Sequence, residues 1–338
     1  MTEKITYAQS GVDIDAGTRA KSKIAKLAQS TFNDKILSEI GLFAGAYDLG
    51  DGRILLSSAD GVGTKIIVAV KMGILNTVGI DLVHHCTNDI LVHNAAPLFV
   101  LDYIGHTDLA PESITSIVEG LSSGCRNVGA ALIGGETAQM PGFYPSGVFD
   151  LVGVIVGEVA QENLVNGERI QPGDTIIGFP SNGLHTNGYS LARKVIFDIA
   201  GYDVDSHIDE LGETVGEALL RTHTLYLPAI EKIRGKVVIH GMAHITGGGV
   251  PGNLIRVLPD NCKAFIHKDS APKIPIFDAI QSIGKIDEDE MERTFNMGFG
   301  YFVIVPGEQV SKAMEALTEF GAFVAGEVVT GEKDVELI

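Results

Sequence analysis

Five segments of this 338-residue chain carry residue types whose spacing could do chemistry. The first, Ser58-Ala59-Asp60-Gly61-Val62-Gly63-Thr64-Lys65, follows an apolar run that reads as a strand. Gly61 and Gly63 let backbone approach a ligand closely, Asp60 offers hard oxygens to Mg²⁺, and Thr64 and Lys65 can meet a phosphate. The glycine spacing is not that of a Walker A loop. A hairpin turn with a solvated Asp and Lys would explain the same residues.

The second segment, residues 79–90, is largely apolar yet holds Asp81 and Asp89. A buried aspartate needs a cation or hydrogen-bond donors around it, so both demand partners from elsewhere. His84 and His85 invite a zinc reading, but no third soft ligand follows at useful spacing, and a pair of core or interface histidines accounts for them better. In the third segment, Ile133-Gly134-Gly135-Glu136-Thr137, a strand runs into glycines with one acid. Asp60, Asp89 and Glu136 thus form a set of three carboxylates expected near strand ends of one domain, a donor set suited to Mg²⁺ bridging the phosphates of ATP.

The last two segments are loops before helices. Ser181, Asn182, Gly183, Thr186, Asn187 and Gly188 make a phosphate cradle, within which His185 can donate to phosphate or move a proton. His244-Ile245-Thr246-Gly247-Gly248-Gly249 reads as an anion-binding loop after an apolar strand. Gly247, Gly249 and Gly252 satisfy the dinucleotide GxGxxG spacing, but Pro251 inside the loop argues against a nicotinamide enzyme. His185, His244 and Lys65 are the catalytic candidates.

The elements that must position these residues follow from periodicity. A turn at residues 47–53 enters a strand at 54–58, and Ile114, Ile117, Val118, Leu121, Cys125 and Val128 share one face of a helix that Gly129 ends. Strands are expected at 130–133 and 148–159, closing a first domain at residues 1–169. Turn chemistry around Pro172-Gly173 opens a second domain, 170–338, with a strand at 175–179, a helix at 189–200, a buried strand at 301–305, a helical stripe at 310–320 and a last strand at 322–329. Mixed strands and helices in both halves predict two α/β domains.

Composition narrows the class. A formal charge of -18 without a Lys/Arg cluster argues against nucleic-acid binding. No apolar run reaches the ~20 residues that a membrane helix needs, and residues 1–10 are polar with no signal-peptide core. Cys86, Cys125 and Cys262 are scattered, which suits reduced thiols and a cytoplasmic protein.

Taken in order, the motifs resemble the phosphoribosylformylglycinamidine cyclo-ligase family, the aminoimidazole ribonucleotide synthetases, over nearly the whole chain. The likeness runs from Gly11-Val12-Asp13 through Asp60-Gly61-Val62-Gly63-Thr64-Lys65, Asn88-Asp89, Gly134-Gly135-Glu136-Thr137, Met140-Pro141-Gly142, His185-Thr186-Asn187-Gly188 and Thr246-Gly247-Gly248-Gly249 to Arg293-Thr294-Phe295-Asn296-Met297-Gly298. The resemblance implies an N-terminal mixed sheet that forms a barrel across a homodimer, and a C-terminal α/β sandwich. It also implies ATP-dependent closure of a small nucleotide substrate into aminoimidazole ribonucleotide, with Mg²⁺ as cofactor. A thiamine-phosphate kinase of the same architecture, or a non-catalytic nucleotide-binding module, are the competing readings; retention of Asp60, Asp89 and Glu136 favours an enzyme.

Overall fold

The computed structural model describes residues 6–11 and 14–338, so Val12 and Asp13 of the first motif lie outside the described residues. Two sheets organise the chain. The first holds β1 (Gly45–Asp48), β2 (Arg53–Gly61), β3 (Ala96–His106), β4 (Ala131–Gln139) and β5 (Phe149–Ala160) in the order β1-β2-β5-β3-β4. The second holds β6 (Asp174–Pro180), β7 (Gly241–His244), β8 (Cys262–Ile266), β9 (Phe299–Pro306), β10 (Phe323–Thr330) and β11 (Asp334–Leu337) in the order β11-β8-β10-β6-β9-β7. Each sheet is mixed, with β3–β4 and β8–β11 the parallel pairs.

In the first sheet burial alternates strictly along β5, so one face is packed and the other is not. The helices Asn76–Leu91 and Pro111–Val128 cover the packed face. They cross closely because Gly79 and Gly120 lie at the contact, where a Cβ on Gly120 would run into the Asn76 carbonyl. Gly129, in the left-handed region at φ 72°, ends the second helix as its position predicts. In the second sheet every residue of β9 is buried, the pattern of a strand covered on both faces.

Three elements differ from expectation. Gly134 and Gly135 form no loop: β4 runs through them to Gln139, and Gly135 is needed because a Cβ there would strike the Asp102 carboxylate on β3. Asp89 sits in the helix Asn76–Leu91 and not at a strand end. Residues 189–200 wind as an α-helix over Tyr189–Arg193 and as a π-helix over Lys194–Ile199. Among the described residues no helix is long and apolar enough to cross a membrane.

Candidate active site

The helix Asn76–Leu91 places Asp81, His85 and Asp89 four residues apart, and so on one face. Asp81, His84, Asn88 and Lys65 of the N-terminal half satisfy the backbone of an extended segment of the C-terminal half, residues 221–226. The His223 amide donates to Asp81 Oδ1 at 2.6 Å and the Tyr226 amide to Asn88 Oδ1 at 3.1 Å. Asn88 Nδ2 donates to the Thr224 carbonyl at 2.8 Å, and His84 Nδ1 lies 2.7 Å from the His223 carbonyl. Lys65 Nζ donates to the Arg221 carbonyl at 2.6 Å and pairs with Asp81 at 2.7 Å, both side chains being fully buried. The need of Asp81 for donors in an apolar run is thereby met. Burial pushes the Lys65 ammonium down and the Asp81 carboxyl up, and their mutual attraction opposes both effects.

This segment delivers His223 to a group of buried imidazoles. His185 and His223 stack at 4.0 Å between ring centres, and His85 meets both His223 and His244 edge-on. The hydrogen bonds have a forced direction, because a carboxylate can only accept. His244 Nδ1 donates to Asp89 Oδ1 at 2.8 Å, so its Nε2 accepts from His223 Nε2 at 3.0 Å. His223 Nδ1 then accepts from the Thr186 hydroxyl at 3.3 Å, and that hydroxyl accepts from His85 Nδ1 at 2.8 Å. The chain ends at His85 Nε2, which lies 2.8 Å from Asp60 and 3.8 Å from Asp89. A proton network of six side chains therefore runs from Asp60 to Asp89 and draws on both halves of the protein.

Charge follows from these contacts. Burial would lower His85, but Asp60 and Asp89 beside it raise it to about 9. Burial would raise Asp60, but the His85 charge and hydrogen bond hold it down to about 2. His185 and His223 are pushed well below the usual imidazole range by burial and by their cationic neighbours, and burial also lowers His244 against the pull of Asp89. One imidazole is thus charged at neutral pH and three are neutral.

The loops that sequence marks as phosphate cradles are braced from beneath. Asn296 accepts from the Ser181 hydroxyl at 2.8 Å and donates to the Gly183 carbonyl at 2.9 Å, while Phe295 fills the space beside Gly188 that a Cβ would occupy. His185 adopts φ 60°, a left-handed conformation that is costly for a side chain of its size and that concentrates at functional sites. Thr246 and Gly249 are tied to Asn253, whose Nδ2 donates to the Gly249 carbonyl at 2.8 Å.

Asp60, Asp89, His185, Thr186 and His244 are brought together. Lys65 is not: its ammonium, expected beside a polyphosphate, is sealed in the core against Asp81. Glu136 is not: it lies on β4, separated from β2 by β5 and β3, which places it about 14 Å from Asp60 at ordinary strand spacing. The Thr186 hydroxyl points into the imidazole network. Motif reading did not single out His223, which stands in no glycine loop or acidic run; His85, expected as a core or interface histidine, is buried where the two halves meet, and its spacing from Asp81 and Asp89 is what aims it at the network.

The sign of the His85 shift makes a pH prediction. A folded value near 9, against an ordinary 6.5, means that its charged contacts stabilise the fold fully below pH ~6.5 and are lost as pH rises through about 9. The Asp60 side of the pair persists until pH falls through about 2. In chelator-treated protein the His85 ring resonance should titrate near 9, and Asp60→Asn should lower that value. Titration of His85 at or below 6.5 would contradict the assignment.

Comparison with known proteins agrees with this architecture. Residues 42–159 match the family described as AIR synthase related protein, N-terminal domain, and residues 171–338 match its C-terminal domain. A phosphoribosylformylglycinamidine cyclo-ligase of Syntrophotalea carbinolica is 46% identical, over 99% of both chains. One of Alkaliphilus metalliredigens is 44% identical, over 99% of this chain and 98% of its own. Among solved structures, AaThiL complexed with AMPPCP and TMP shares the fold at a TM-score of 0.66, with 16% identity over 94% of this chain and 93% of its own. The chain belongs to the phosphoribosylformylglycinamidine cyclo-ligase family, the ATP-dependent ring-closing enzymes of purine biosynthesis.

Proposed function

We propose that this chain converts formylglycinamidine ribonucleotide and ATP into aminoimidazole ribonucleotide, ADP and phosphate, at the cleft where Asp60 meets the imidazole network. The observation that carries the reading is the convergence of Asp60 and Asp89 with His185 and His244, contributed by both halves of the chain. The formyl amide oxygen is a poor leaving group. Moving the γ-phosphoryl of ATP onto it creates an imidate phosphate, and attack by the ring-closing nitrogen then expels phosphate. Such a transfer asks mainly for positioning and charge neutralisation.

Asp60 and Asp89 fit a divalent cation, since both carboxylates already face one positive charge at His85 Nε2. Mg²⁺ held there would neutralise the phosphates of ATP. Asp60 is the partly open member of the pair and would meet the nucleotide; Asp89 is the buried one, oriented by Ser58 and His244. The loops 183–188 and 246–249 hold phosphate groups through backbone amides. His185 is the proposed proton acceptor. It is buried and held neutral, and its Nδ1 has no partner among the described residues. AMPPCP bound to the fold neighbour AaThiL supports an ATP site in this fold.

We place the enzyme in the cytoplasm, as a homodimer joined by the open face of the first sheet. Leu98, Leu101 and Ile133 are 38%, 37% and 58% exposed there, and β4 is an unpaired edge. Glu136 then belongs to the dimer face and serves a metal only if the partner brings it to the cleft.

Incubation with Mg·ATP and formylglycinamidine ribonucleotide should yield aminoimidazole ribonucleotide in step with ADP. Asp60→Asn and His185→Gln should each lower kcat by about 100-fold or more. Phosphorylation of thiamine monophosphate without ring closure would replace this reading by the kinase one. Ile133→Asp should shift sedimentation from dimer to monomer, and a wild-type monomer would refute the proposed interface.

A further inference from the structure

The donor set behind Asp60 is richer in nitrogen than Mg²⁺ chemistry requires. His85, Asp89 and His244 each offer one ligand atom, all three atoms lie within 4.8 Å of one another, and all three residues are buried. They come from one helix of the N-terminal half and one strand of the C-terminal half. His85 Nε2 sits between two carboxylates, 2.8 Å from Asp60 and 3.8 Å from Asp89, and the residue is 3% exposed. A nitrogen that shares its proton with two carboxylates is placed to share a cation with them once that proton leaves. With an ion in place of the Nδ1 proton, His244 Nε2 would carry the N–H and donate to His223 Nε2, reversing that hydrogen bond and giving the outer contact that orients a metal-binding imidazole.

We propose that His85, Asp89 and His244 form an inner site for a nitrogen-preferring divalent transition ion of the zinc and cobalt class. The site takes Asp89 from the Mg²⁺ pair proposed above and leaves Asp60, the partly open carboxylate, to the Mg²⁺ that accompanies ATP. Imidazole favours such ions, whereas Mg²⁺ prefers oxygen and water. Ligand bonds of about 2.0–2.2 Å put tetrahedral donors roughly 3.4 Å apart, so donors within 4.8 Å need side-chain shifts of only about an ångström. The fourth position faces Asp60 and the cleft. Bound there, the ion would clamp the two halves of the chain together at the imidazole network. This inference goes beyond the ring-closing reading and does not depend on it.

Cobalt titration of the chelator-stripped, full-length protein tests it without substrate. One Co²⁺ per chain should bind with the intense visible bands of four-coordinate, nitrogen-ligated cobalt, be displaced by Zn²⁺ and resist millimolar Mg²⁺. His85→Gln and His244→Gln should abolish the bands, His223→Gln should weaken binding by about 10–100-fold, and His240→Gln, whose imidazole pairs with Asp174 elsewhere, should leave them intact. The wild-type spectrum and the Mg²⁺ competition need no variant, so a misfolded mutant cannot decide the outcome. A weak six-coordinate spectrum, displacement by Mg²⁺, or unchanged bands in correctly folded His85→Gln would overturn the site. Such a failure leaves ring closure, which is assayed separately with Mg·ATP, untouched.

Discussion

The extended segment 221–226 has no helix or strand to satisfy its backbone, and it buries His223 and Tyr226 against the N-terminal half. Its carbonyls and amides must still find partners, because an orphaned buried peptide group costs about 1–3 kcal/mol. Side chains of the N-terminal half supply them: Lys65 takes the Arg221 carbonyl, Asp81 the His223 amide, and Asn88 both the Thr224 carbonyl and the Tyr226 amide. These contacts set how the two halves meet. They also explain why a lysine and an aspartate are tolerated at complete burial: each is satisfied only when the other and the segment are in place.

The reactive cluster is a by-product of the same docking. Holding residue 223 against the helix Asn76–Leu91 brings its imidazole between Thr186 and His244, and His244 in turn reaches Asp89. Neither half owns the network: the carboxylates that charge His85 come from its own half, but the tautomer of His244 is set by Asp89 across the junction. A site divided in this way couples proton placement to domain packing: parting the halves would break the relay at Thr186, His223 and His244 and leave only His85 between Asp60 and Asp89.

Much of this was legible in sequence, and the reasons for the rest are physical. Carboxylates inside an apolar run announce that partners exist, which is why Asp81 and Asp89 could be singled out, but the run does not say who the partners are. Lys65 looks the same in sequence whether its ammonium faces a cleft or a core; only its contact with Asp81, sixteen positions on, decides. Glu136 followed a glycine pair that resembles a ligand loop, yet those glycines answer to Asp102 on the neighbouring strand. Strand order, which carries Glu136 away from Asp60, is a property of the assembled sheet. His223 lacked any local signal, since its role comes from a partner 21 residues away at His244 and another at Thr186. By contrast the Gly129 cap, the strand periods and the Ser181–Gly188 loop are local features, and the chain forms them where its sequence indicates.

Amide hydrogen exchange at His223 and Tyr226 tests the central claim most directly. Both N–H groups lie outside regular structure, and both donate to buried side chains of the other half, Asp81 and Asn88. Exchange as slow as that of the amides within the helix Asn76–Leu91 is the predicted result. Exchange at the rate of an unprotected loop would contradict the account, because the segment that assembles the site would then not be held by the residues credited with holding it.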